Sequence, residues 1–198
     1  DGNLKEMQIS RFTVDLPGAF SLKGGGILEN LTDSLTRSGT IGLDMVTRNL
    51  NFLTGLTGVT PDGSLVIPDS MSLKMKMEMN GPQYKAKLDL KEGKGSMNVN
   101  AALNSSTEVY TADLKINDLQ LHHFLPKDSI YELSLSADAK GRGLDVMSFH
   151  SLANLNLSLD QLHYARYHLS NVHLTGNLKG ALATAQLTSC LLYTSPSP

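Results

Sequence analysis

Along most of the chain, apolar and polar residues alternate with a period of two. Met71, Leu73, Met75, Met77 and Met79 are separated by Ser72, Lys74, Lys76 and Glu78. This is the pattern of a strand with one dry and one wet face. Asn80-Gly81-Pro82 then turns the chain, and Tyr84, Ala86, Leu88 and Leu90 alternate with Lys85, Lys87, Asp89 and Lys91. After Glu92-Gly93-Lys94-Gly95 comes a third strand, Met97, Val99, Ala101 and Leu103 against Asn98, Asn100, Ala102 and Asn104. Strands joined by such short turns predict an antiparallel meander.

The rhythm continues through Tyr110–Ile116, Tyr131–Ala139, Ala153–Leu159, Val172–Leu178 and Ala181–Leu187, with weaker candidates at Phe12-Val14-Leu16 and Ile41-Leu43-Met45. Two stretches depart from it. Leu50, Leu53 and Leu56 within Val46–Leu56 fall at helix-like intervals. Asp118–Leu125 has an acid placed to cap and Pro126 placed to stop a short helix. Both are expected to be short amphipathic plugs at a strand edge. Tyr84–Leu90, Tyr110–Ile116 and Tyr131–Ala137 echo one another, their starts 26 and 21 residues apart, which suggests repetitive β architecture. Nothing Pro-rich, Ser-rich or charge-rich divides residues 1–189, so one continuous β-rich body is expected.

Composition narrows the function. Against 19 Asp and Glu the chain has 17 Lys and Arg, for a net charge of −2, and it lacks the basic surplus that nucleic-acid binding draws on. With 40% hydrophobic and 18% charged residues it is no disordered polyelectrolyte. No apolar run approaches the ~20 residues of a spanning helix. The chain opens at Asp1-Gly2 without Met or a signal-like stretch, so it is read as an internal segment whose targeting part lies outside it. Residues 190–198, Cys-Leu-Leu-Tyr-Thr-Ser-Pro-Ser-Pro, read as a translated sequencing adapter, a non-native tail that includes the single cysteine.

No catalytic or metal-binding set emerges, and no cofactor is implied. Of the six histidines (His122, His123, His150, His163, His168 and His173), the last three are five apart. On one extended strand successive members would point to opposite faces, so convergence on a metal would need a turn between them. Gly24-Gly25-Gly26 follows a strand-like segment but lacks the Lys-Ser/Thr of a phosphate loop. No serine stands in Gly-x-Ser-x-Gly, and Asp15, Asp44, Asp62, Asp69 and Asp145 are scattered. Asn30, Asn104 and Asn156 head glycosylation-type triplets, which matter only in a eukaryotic secretory setting. The remaining candidate is the apolar face. It is either the sealed core of a sandwich or solenoid with a structural or adhesive role, or the lining of a groove, for which adaptable Met and small Ala are suited.

Three stretches bear on this choice: Ser38–Met45 (Ser-Gly-Thr-Ile-Gly-Leu-Asp-Met), Asp113–Pro126 and Ser129–Gly143. They resemble the AsmA-like/TamB superfamily, Bacteroidota-type TamB proteins in particular, and Leu174–Gly180 is similar to that family's strand-Gly-strand phrases. The resemblance rests on rhythm over most of residues 1–189. It implies an all-β fold, an elongated antiparallel sheet folded lengthwise into an open trough (a β-taco) with one or two short helices. It further implies a non-enzymatic conduit in the periplasm of a Gram-negative bacterium, moving phospholipid between the inner and outer membranes. The inner-membrane anchor and the domain that docks an outer-membrane assembly protein would lie outside this sequence. Phospholipid acyl chains would be the partner. The groove-lining residues are then expected to be Leu73, Met75, Met77, Leu88, Leu90, Val99, Leu114, Ile116, Leu133, Leu135, Leu155 and Leu157. Lys74, Lys76, Lys85, Lys87, Ser134, Ser136, Asn154 and Asn156 are expected to face water.

Overall fold

A computed structural model describes residues 5–49 and 66–189, with the backbone of 192–194. The alternation becomes a meander in which each strand pairs with the next. The strands are β1 (Glu6–Leu16), β2 (Phe20–Glu29), β3 (Ser38–Thr47), β4 (Met71–Asn80), β5 (Gln83–Glu92) and β6 (Gly95–Asn104). They continue with β7 (Val109–Gln120), β8 (Ile130–Arg142), β9 (Leu152–Tyr164), β10 (Tyr167–Lys179) and β11 (Leu182–Ser189), while β12 (Leu192–Thr194) runs beside Tyr167–Leu169 of β10. Spatial order equals chain order from β1 to β11, and the sheet does not close into a barrel. The all-β, open antiparallel expectation holds. With strands ~4.8 Å apart the sheet is about 48 Å wide.

The turns set the register. Two-residue turns join β4 to β5, β5 to β6, β9 to β10 and β10 to β11, each with a left-handed residue: Gly81, Gly93, Ala165, and the pair Gly180-Ala181 at φ 58° and 63°. Positive φ at such turns matches the right-handed twist of the flanking strands. Four bulges adjust the longer strands, at Ile9/Phe12, Ile116/Leu119, Ile130/Leu133 and Ser134/Leu135.

The glycines that interrupt the alternation in β2 do not end the strand. Gly24 and Gly26 sit opposite large residues, Phe12 and Leu43 for the first and Ile9 and Ile41 for the second. Phe12 pairs with Gly24 and its ring occupies the space a Cβ would need, and Tyr110 covers Gly141 in the same way. Aromatic cover of a strand glycine restores the buried surface that the glycine itself lacks.

The plugs fare differently. Val46 and Thr47 finish β3, and residues 50–56 of the first expected helix lie outside the described residues. The second is a single 3-10 turn, Leu121–His123, preceded by Gln120 with no side-chain cap. Asp118 does not cap it. It belongs to β7, in the bulge at φ 46°, where its N–H and carboxylate both meet the Ser134 hydroxyl, at 2.8 and 3.2 Å. Leu121 and Phe124 pack on the buried cluster Met71, Leu90, Ile116 and Leu119, so the segment does cover the sheet at one end.

Ile116 is 7% exposed and Leu155 is 37% exposed on the same face. Ile116→Ala should therefore lower the unfolding free energy by about 2–4 kcal/mol and Leu155→Ala by under about 1.5. Urea denaturation of the two variants measures the difference.

Candidate functional site

Reading the pairing across the sheet gives continuous rows. One row runs Phe12, Gly24, Leu43, Met75, Leu88, Val99, Leu114, Ala137, Leu157, Leu174 and Leu187, with one residue from each strand from β1 to β11. Beside it lies the row that includes Met45, Leu73, Leu90, Met97, Ile116, Leu135, Leu159 and Val172. On the other flank run Ile41, Met77, Ala86, Ala101, Ala112, Ala139 and Leu155. Because side chains alternate along a strand, all of these rows share one face.

Eleven of the twelve expected lining residues fall in these three rows. The twelfth, Leu133, pairs with Leu119 and Leu162 just below them. The face is not uniformly open. Leu90 and Ile116 are buried beneath the Leu121–Phe124 segment, while Met77 and Leu155 are exposed toward the other end. A hollow of about 450 Å³ lies there, lined by Leu28, Ile41, Met77, Tyr84, Ala101 and Tyr110 among others. That volume falls within the ~300–1,000 Å³ of small-molecule sites.

The opposite face is polar, and its rows are charge-patterned. Lys23, Asp44, Lys74 and Asp89 alternate in sign across β2 to β5, and Asn98 Nδ2 donates to Asp89 Oδ1 at 2.6 Å. Lys76 and Lys87 stand directly opposite one another. Their repulsion is eased by Glu78 beside Lys76 and by Asp89, 3.6 Å from Lys87. Hydrogen bonding and charge from Lys76 hold the Glu78 carboxyl below its ordinary range. The larger hollow, about 1510 Å³, lies over β1 to β5, and Phe12, Leu43 and Met75 line it together with these Lys and Asp residues. A twisted sheet is saddle-shaped, so each face is hollow along one diagonal.

Of the residues expected in water, Lys74, Lys76, Lys85, Lys87, Asn154 and Asn156 are exposed and Ser136 is half-buried. Ser134 is a correction. At 9% exposure it is buried, because the β7 bulge folds Asp118 over its hydroxyl.

The histidines also group differently from their spacing. The Ala165-Arg166 turn lies between His163 and His168 and makes them direct cross-strand partners, their rings stacked at 4.1 Å. Tyr131 continues the array 4.9 Å from His163, followed by His122 at 5.6 Å and His123 at 4.1 Å. His173 stands apart, opposite Ser158, whose hydroxyl is 2.9 Å from Nδ1. Among the described residues no three metal-ligating side chains converge.

A buried carboxylate carries no signal in the sequence. Glu92 ends β5 on the apolar face opposite Met71 and is 5% exposed. Its Oε1 lies 2.8 Å from Nδ1 of His123, and its Oε2 is buried without a hydrogen-bond partner. A dry carboxylate is costly unless paired, so His123 both gives Glu92 a hydrogen-bond partner and latches the covering segment to the sheet. Read in one dimension, Glu92 belongs to a polar turn, 31 residues from its partner.

No family model matches the chain, and neither a curated protein nor a solved structure is similar to it. Its class therefore rests on fold and site alone. Among the described residues it is a single-layer, open antiparallel sheet with one continuous apolar face, covered at one end.

His123→Ala should leave the Glu92 carboxylate buried and unpaired, lowering stability by about 1–3 kcal/mol. Replacing both, Glu92→Leu with His123→Leu, should recover most of the loss. Chemical denaturation of the single and double variants at neutral pH tests this, and a double variant no better than the single one counts against the latch.

Proposed function

We propose that this chain is a segment of an apolar conduit that helps phospholipid pass between the inner and outer membranes of a Gram-negative envelope, without catalysis. The carrying observation is the set of apolar rows that crosses the whole sheet with no second layer packed on it among the described residues. Among the described residues, the extensive contacts between strands join neighbours in the sheet.

A face of this kind suits acyl chains. Each methylene moved onto it from water gains ~0.8 kcal/mol, and rows without polar interruptions offer no site where a tail must stop. Head groups would remain wet at the open side. The resemblance to AsmA-like/TamB proteins supports the same reading. Under that resemblance the segment would work in the periplasm.

A second reading, a structural or adhesive module with a sealed core, draws on the covered end, where Met71, Leu90, Ile116 and Leu119 are buried. Adjacent residues separate the two. Leu157 lies on the apolar face and Asn156 is exposed on the polar face. With a photo-crosslinking residue at each and irradiation in a bacterial envelope, mass spectrometry should find phospholipid attached at position 157 and not at 156. Adducts at neither, from a folded monomer, would leave the structural reading.

A further inference from the structure

The connection between β8 and β9 holds Leu144, Val146, Met147 and Phe149 in solvent, with Met147 76% and Phe149 85% exposed. These side chains are not on a slack loop. The Asp145 carbonyl accepts from the Ser148 N–H at 3.0 Å and from the Ser151 hydroxyl, and Asp145 Oδ1 accepts from the Met147 N–H at 2.9 Å. Glu108 holds the entry, its carbonyl accepting from the Gly143 N–H at 3.1 Å and its Oε2 from the Leu144 N–H at 3.3 Å. At the exit, the carbonyl of the fully buried Ser151 accepts from the Gly180 N–H at 2.9 Å. The finger is thus built in the shape in which it would bind, which removes most of the ordering cost.

Its base is amphipathic and cationic. The outermost row of the polar face runs Val109, Arg142, Leu152, Lys179 and Leu182 through direct cross-strand pairs. Val109, Leu152 and Leu182 are exposed, and the two cations stand between them. Lys140 lies two residues behind Arg142. Among the described residues no ion pair involves any of the three cations. Of the nearby acids, Glu108 and Asp145 are turned to amides of the loop itself, and Asp138, two residues behind Lys140, accepts from Asn156 Nδ2 at 2.9 Å.

We propose that this rim docks on the surface of an anionic bilayer, the finger entering the acyl boundary and Arg142, Lys179 and Lys140 lying at headgroup level. Apolar side chains ringed by cations suit that interface. A second copy would bring the same cations face to face. The docking does not depend on the groove carrying lipid.

The chain contains no Trp, so Phe149→Trp makes the finger its own reporter. With vesicles of phosphatidylglycerol and phosphatidylethanolamine the emission should shift to the blue. The shift should fade as salt rises and be small with phosphatidylcholine alone. Met147→Asp with Phe149→Asp, at exposed positions that leave the circular dichroism unchanged, should lower vesicle co-flotation at least about tenfold. Three results would overturn the proposal: no shift with either vesicle from the folded chain, equal shifts with both, or a shift without vesicles that grows with protein concentration. The last would assign the rim to contact between copies.

Discussion

Everything in this molecule depends on the register of one hydrogen-bonded ladder. A single-layer sheet has no opposing layer to correct a mistake, and because side chains alternate, a slip of one residue would carry a strand's apolar set to the wet face. The row from Phe12 to Leu187 stays on one face across eleven strands, and at the four connections made by two-residue turns the chain has no slack to slip. Bulges occur where the longer strands would otherwise drift out of step. On the polar face the alternation of Lys23, Asp44, Lys74 and Asp89 favours the same register, since a slip would break the opposition of charges.

The same ladder makes the two ends of the sheet different. At one, the Leu121–Phe124 segment folds over Met71, Leu90, Ile116 and Leu119, and the Glu92–His123 pair fixes it there. At the other, the apolar rows remain accessible and the Leu144–Phe149 finger projects beyond them. A conduit needs an open face more than a large core, so stability in the proposed role comes mainly from backbone pairing and cross-strand packing. The covered end supplies the most conventional core, which is why its substitutions are expected to be costly and those at Leu155 mild.

Much of the sheet was legible in the sequence. The strands from β4 to β11 follow from alternation, and the lining residues named from it lie on one face. Where reading failed, the cause was a partner remote in sequence. β2 was obscured because Gly24 and its neighbours carry no side chain, and Phe12 supplies what is missing. The five-residue spacing of His163 and His168 suggested divergence, until a turn placed between them made them partners. Ser134 fits an outward position on β8 and is nonetheless buried by a bulge in β7. The echo of Tyr84 and Tyr110 marks strands running the same way one hairpin apart, whereas Tyr131 begins a strand running back and so stands at the other end of the sheet.

The sequence by itself determined that the chain is all-β, which residues are apolar on which face, and where the short turns fall. These are local properties with a period of two, and where a two-residue turn falls it makes the next strand in the chain the neighbour in the sheet. Only the tertiary structure decided that the sheet stays open, that one end is covered and latched by Glu92 and His123, and that an apolar finger is held in solvent at the other. Each of these depends on contacts between residues far apart in the chain, where a carboxylate's or a phenylalanine's surroundings cannot be read from its neighbours in sequence.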